Sequence, residues 1–292
     1  MNYQIENEKA IGPDQQLYLD LLRKCLTASI YEESAWKVIE GKPSIAPVGW
    51  NPAAPFKNWF RRFMVNQLQK RSLMLVRRDR YDAAVREDGG DWPCFGFTMI
   101  GHRGLNIIQK CVEEVLTNDV PGDFIETGAW RGGATIYMRA LLRAYGITDR
   151  LVWVADSFEG LPAPEDAQDG WDMSHVQHLK MGLDRVKSNF ARFGLLDDQV
   201  RFLQGWFKDT LPGAPIEKIA LLRLDGDLYS STMDSLSNLY AKVSPGGYVI
   251  VDDYFSWPAC KRAVDEFIRD RKLRAEILGQ EIGKAYWKVE AA

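Results

Sequence analysis

Residues 123–134 read DFIETGAWRGGA: a short apolar run ending on an acidic residue, a glycine-rich loop, then the start of an apolar-periodic segment. That order is strand, tight turn, helix N-terminus. Glycine removes the Cβ that would keep a ligand off the backbone, and the first N–H groups of a helix have no intrahelical partner. In dinucleotide-binding folds a pyrophosphate sits there. Glu126 at the strand end would repel a pyrophosphate, and suits instead a ligand bearing an ammonium and a sulfonium. S-adenosylmethionine has both groups.

Outward from this point, further short apolar runs follow at residues 151–156, Val200–Gln204, 219–225 and 247–252, separated by amphipathic stretches such as 135–145 and 231–243. The alternation reads as a parallel sheet covered by helices. The second run ends in Asp156, one βαβ unit after the glycine-rich loop, where a carboxylate accepts hydrogen bonds from ribose hydroxyls. Gly205 and Trp206 follow the third run, with Trp206 placed either to pack on adenine or to fill the core. A helix is expected at 256–273, with Pro258 in its first turn. Residues 276–289 are expected to make two strands around a turn at 279–283.

Four acidic residues stand at the ends of the next two strands, Asp225 and Asp227 in LRLDGDLY, then Asp252 and Asp253 in VIVDDY. In a parallel sheet these ends share one edge. So many carboxylates repel one another unless a cation intervenes, and without nearby His or Cys that cation is hard and oxygen-liganded, Mg²⁺ rather than zinc. A metal held by carboxylates keeps open positions for substrate oxygens and acidifies a hydroxyl, with Asp225 beside it as base.

Residues 1–95 lack this alternation and form a separate helical lid or oligomerisation region, ahead of a catalytic domain at 96–292. Phe56, Trp59, Phe60, Phe63, Met64 and Leu68 recur at helical spacing, and the polar positions of 56–80 are strongly basic. This basic face reads as a solvated surface in preference to a dock for an acidic carrier protein or an anionic membrane. With 292 residues, 46% hydrophobic, and a formal net charge of −3, the chain has no global attraction for nucleic acid. Cys25, Cys94, Cys111 and Cys260 show no metal-ligand spacing and read as reduced thiols. No secretory or membrane-spanning pattern is present, so a cytoplasmic location is expected. His175 and His178 read as surface-loop residues, and Trp153 and Trp171 as packing residues.

Thr98–Gly101 (TMIG), DFIETGAWRGGA, ADSFEGLP at 155–162 and LRLDGDLYSST ending at Thr232 resemble the macrocin O-methyltransferase (TylF) family, whose members methylate sugar hydroxyls on macrolides and related natural products. The resemblance runs from Phe97 to the end, with an echo at 17–34. It implies a class I methyltransferase fold: a Rossmann-like, mostly parallel seven-stranded sheet closed by an antiparallel hairpin. It implies that Thr98, Met99, Glu126, Thr127, Gly128, Ala129, Trp130, Asp156, Ser157, Gly205 and Trp206 surround S-adenosylmethionine. It implies that Asp225, Asp252 and Asp253 bind Mg²⁺, with Asp225 also the base, and that the protein is a homodimer or larger. An apparent insertion at 44–92 departs from the family pattern. The acceptor class is a sugar or polyketide-type hydroxyl, with a catechol-like vicinal diol as the alternative. A nicotinamide dehydrogenase would need G-x-G-x-x-G where this chain has E-T-G-A-W-R-G-G.

Overall fold

Alternate residues of each central strand face opposite sides, and both sides are apolar, so the sheet must be covered on both faces. The computed structural model describes residues 11–32, 36–38, 55–71, 76–78, 80–165, 167–169 and 172–291. In chain order these form α1 (Pro13–Leu26), β1 (Trp36–Val38), α2 (Pro55–Gln69), β2 (Val76–Arg78), α3 (Ala83–Asp88), α4 (Gly101–Thr117), β3 (Asp123–Thr127), α5 (Gly133–Ala144), β4 (Val152–Asp156), α6 (Leu183–Arg192), β5 (Val200–Gln204), α7 (Phe207–Thr210), β6 (Ile219–Leu224), α8 (Tyr229–Leu239), β7 (Val243–Val251), α9 (Pro258–Asp270) and β8 (Ala285–Lys288). The main sheet has the order β5-β4-β3-β6-β7-β8. All its pairings are parallel except β7 with β8. Phe124, Val152, Leu221 and Ile250 pack with α1, α4, α5 and α6 on one face. Ile125, Trp153, Leu222 and Val249 pack with α8 and α9 on the other.

The sheet has six strands, not seven. The strand expected after α9 is reduced to a single bridge between Leu278 and Tyr286. A tight turn intervenes, with Gly279 at φ 91° and Gly283 at φ 73°, so the chain before it meets β8, whose other edge pairs with β7, only at Leu278. Helix α2 matches the apolar periodicity but stops at Gln69, so the basic stretch 56–80 is not one helix. Arg77 and Arg78 lie in β2, which pairs antiparallel with β1. Trp59, Phe60 and Phe63 on α2 are exposed while Val65 is buried. No described helix is long and apolar enough to cross a membrane, and all four cysteines are free thiols.

Chain order reverses at β3, which lies between β4 and β6, and such a switch point opens a crevice at the strand C-terminal ends. Two packing constraints shape it. The backbone of Phe97 and Thr98 donates to the Leu26 carbonyl at the end of α1, and Gly133 N–H donates to the Phe97 carbonyl, fixing the 97–99 segment against the start of α5. The end of α1 is tied in turn to the segment after α3: buried Arg86 donates to both carboxylate oxygens of Asp91 (2.7 and 2.9 Å) and to the Thr27 carbonyl.

The second constraint is Gly128, at φ 94°, where a Cβ would lie 1.7 Å from the Asp225 carbonyl oxygen. Only glycine lets the β3 loop cross this close to the end of β6. Gly128→Ala therefore combines backbone strain with overpacking, and unfolding free energy should fall by about 3 kcal/mol or more. Urea denaturation measures it; a loss below about 1 kcal/mol would show that the crossing is looser than this contact requires.

Candidate active site

The crevice is a cavity of about 400 Å³ lined on one side by Met99, Gly128, Trp130, Asp156, Ser157 and Trp206, and on the other by Asp225, Asp227, Ser230 and the Leu161–Glu165 stretch. Six of the eleven residues expected around the cofactor thus face it. Thr98, Glu126, Thr127, Ala129 and Gly205 do not line it; they form the layer behind. Asp156, expected from sequence to meet ribose hydroxyls, is engaged by the chain's own backbone. Its Oδ2 accepts from Ala129 N–H (2.7 Å) and Trp130 N–H (3.3 Å), and its Oδ1 from Phe158 N–H (2.7 Å). It thereby moors the glycine-rich loop to the end of β4. Burial raises its carboxyl above the usual range, against those hydrogen bonds. Trp206 faces the cavity, whereas Trp153 is buried in the core with its indole N–H on Asp123 (2.8 Å). Trp171 lies outside the described residues.

At and behind the far wall, Asp225, which lines the cavity, and Asp252 and Asp253, which do not, each bring a carboxylate oxygen within 4.8 Å of the others. The sequence placed them on one sheet edge but did not show what already neutralises them. Arg223, 1% exposed, lies beneath the cluster. It donates to Glu126, to Asp225 Oδ2 (2.8 Å) and to Asp252 Oδ1 (2.5 Å). Lys284, also buried, donates to Asp252 Oδ2 (2.9 Å). An arginine inside the otherwise apolar IALLRL strand was a legible oddity; Lys284, at the foot of β8, carried no signal. Glu126 consequently points at Arg223 rather than into the cavity, and its Oε2 has no partner among the described residues.

The two cations do not balance the site. Burial pushes Glu126 up to about 7, and burial together with Asp225 and Asp252 pushes Asp227 up to about 7. Burial followed by three neighbouring carboxylates pushes Asp253 far above the usual range. Burial also opposes the Asp252 anion, yet Lys284 and Arg223 outweigh it and hold that carboxyl below its ordinary value. Asp253 Oδ2 is buried with no partner among the described residues. An all-carboxylate donor set with residual negative charge and an orphaned oxygen fits a hard divalent cation.

The loop that forms the third wall is pinned at two places. Buried Asp169 accepts from Glu165 N–H (2.9 Å) and from Ser230 N–H (2.7 Å). It supplies the cap that α8 lacks from its own N-cap residue, Leu228. His178, expected on a surface loop, instead stacks on Trp92 (centroids 5.5 Å, 5°) and leans on Trp130 (5.3 Å). Its carbonyl accepts the Trp130 indole N–H (2.9 Å). Apolar walls on two sides override the polar sequence context. His175 is exposed.

A glycine-rich loop moored by an acid at the end of the next strand lies across the switch point from the acidic residues after β6 and β7, and comparisons with known proteins place the chain in a methyltransferase family. The Macrocin-O-methyltransferase (TylF) family model matches residues 15–289. The chain belongs to this family. It is similar to demethyldecarbamoylnovobiocin O-methyltransferase of Streptomyces niveus, with 43% identity over 97% of each chain. It is also similar to mycinamicin III 3''-O-methyltransferase of Micromonospora griseorubida, 48% identical over 74% of this chain and 88% of that one. Among solved structures, the O-methyltransferase NovP superposes with a TM-score of 0.77 at 43% identity, covering 95% of this chain and all of that one. This member of the macrocin O-methyltransferase family is an S-adenosylmethionine-dependent O-methyltransferase.

The half-buried stack sets a pH signature. Burial, then the charge of Arg131, pushes the His178 imidazole down from 6.5 to about 4. The unfolded chain takes up this proton near pH 6.5 and the folded chain only near 4, so folding stability from His178 is fully present above about 6.5 and lost as pH falls through about 4. Urea unfolding at a series of pH values should show the wild type losing stability relative to His178→Gln across that window. A difference that stays flat would put the ring in water rather than in the stack.

Proposed function

We propose that this enzyme transfers the methyl group of S-adenosylmethionine to a hydroxyl of a sugar carried by a polyketide-type or related natural product, and that the transfer depends on Mg²⁺. The observation carrying the metal dependence is the Asp225, Asp252 and Asp253 trio, whose converging oxygens outnumber the two cations beside them. The acceptor class rests on relatives named for 3''-O-methylation of mycinamicin III and for 4'-O-methylation of a rhamnosyl tetracenomycin. A catechol-like diol is the alternative acceptor.

A divalent cation bound by the trio would lower the pKa of the acceptor hydroxyl. The chain supplies the rest. The Gly128–Trp130 loop, moored by Asp156, presents backbone to the donor, and Met99 and Trp206 close its flanks. The acceptor oxygen bonds to the methyl carbon as the carbon–sulfur bond breaks, giving S-adenosylhomocysteine, and the hydroxyl proton passes to a carboxylate. Asp225 is the base expected from sequence. What favours Asp227 is that Asp225 is held by Arg223 and belongs to the metal trio, whereas Asp227 lines the cavity without a hydrogen-bond partner among the described residues. A homodimer or larger assembly belongs to the same reading, supported by exposed Leu17, Leu21 and Phe60 on α1 and α2.

Calorimetric titration of S-adenosylhomocysteine tests the donor site: one-site binding to the wild type, abolished by Asp156→Ala and spared by Asp225→Ala. Failure of the wild type to bind would sink the assignment of this cavity. For the base, Asp227→Asn should lower kcat by about 10²–10⁴-fold while keeping divalent-cation binding, and Asp225→Asn should lose that binding. Equal kcat for Asp227→Asn and wild type on a deoxysugar glycoside would return the role to Asp225. Chelation with EDTA should abolish turnover, and added Mg²⁺ restore it.

A further inference from the structure

Lys284 plays no part in the reaction described above, yet it is the one residue of β8's approach that reaches the acidic trio. It stands at the end of the tight turn, its backbone N–H donating to the Gly279 carbonyl (3.3 Å). Its stem crosses α4 where Gly104 leaves room: a Cβ at residue 104 would lie 3.0 Å from Lys284 Cε. The residue is 7% exposed, and its ammonium ends 2.9 Å from Asp252 Oδ2. Burying a lysine head costs free energy unless a carboxylate meets it, and here the carboxylate is one of three that would hold the cation.

Lys284 differs from Arg223. Arg223 bridges Glu126, Asp225 and Asp252 and so fixes the geometry of the cluster. Lys284 makes one ion pair among the described residues, with Asp252. It adds charge at the ligand oxygen opposite the one Arg223 holds, so both Asp252 oxygens already face a cation. Any divalent ion entering the trio must share Asp252 with this ammonium.

We propose that Lys284 is a built-in competitor of the divalent cation for Asp252, setting the metal affinity of the site lower than the carboxylates alone would. The inference rests on the metal reading given above. Its physical basis is that one unit charge a few ångströms from a bound dication, in a medium of effective dielectric near 20, shifts affinity by roughly tenfold or more. The consequence is an enzyme whose metal exchanges with solution rather than staying with the chain.

The test is Mn²⁺ titration of the purified full-length protein, following the free aqueous ion by electron paramagnetic resonance. Wild type, Lys284→Met and Lys284→Arg are compared, with Asp225→Asn as the metal-site control. Lys284→Met should bind Mn²⁺ about tenfold tighter or more, and Lys284→Arg, which keeps the charge, within about threefold of wild type. Thermal melting should show a larger Mn²⁺-dependent rise for Lys284→Met than for wild type. If Lys284→Met does not fold, Lys284→Gln, which keeps a donor for Asp252 without the charge, carries the same expectation. Wild-type binding with unchanged or weaker affinity in the uncharged variants would overturn the competitor role and leave Lys284 as a tether for Asp252. Absence of Mn²⁺ binding by the wild type would overturn the metal reading itself, and this inference with it.

Discussion

The site depends on one buried guanidinium. Arg223 gathers acidic groups from β3, from the end of β6 and from the end of β7, three strands that are neighbours in the sheet. The planar fork of arginine can satisfy several carboxylates at fixed angles, which a lysine cannot do. Without it, Glu126, Asp225 and Asp252 would be like charges packed in low dielectric, and their strand ends would splay or take up protons. The arginine thus converts a repulsive edge into a rigid floor. What remains unbalanced on that floor is the negative charge facing the cavity.

Much of this was legible in the sequence because it follows from periodicity and strand ends. Runs such as DFIET and VWVAD could only be buried parallel strands, so their acidic termini had to fall on one edge. That puts Asp156, Asp225, Asp252 and Asp253 on one sheet edge, and of these Asp156 and Asp225 line the cavity. Glycine spacing likewise located Gly128, though not the reason for it: the contact with the Asp225 backbone joins residues far apart in the chain, and only the switch-point topology brings them together.

What could not be read follows the same logic in reverse. Repulsion among carboxylates points in the sequence to a cation, but Arg223 and Lys284 already answer part of it, and tertiary partners of this kind leave no local pattern. Glu126 looked like a ligand for the donor's amino group and is engaged by Arg223. His178 looked solvated because its neighbours in sequence are polar, while its neighbours in space are Trp92 and Trp130. The hairpin after α9 has its second arm as β8, but the tight turn between Gly279 and Gly283 leaves its first arm a single bridge at Leu278.

Asp169 shows how two walls of the cavity are one unit. By capping α8 from the loop opposite, it makes the helix that follows Asp227 and the stretch that roofs the cavity settle together or not at all. Anyone transplanting residues 161–180 from a relative would therefore be exchanging a helix cap as well as a cavity wall. A graft that lacked an acid at position 169 would alter the footing of the Asp225–Asp227 turn, and the chimera's loss of turnover could be mistaken for poor fit of the new acceptor.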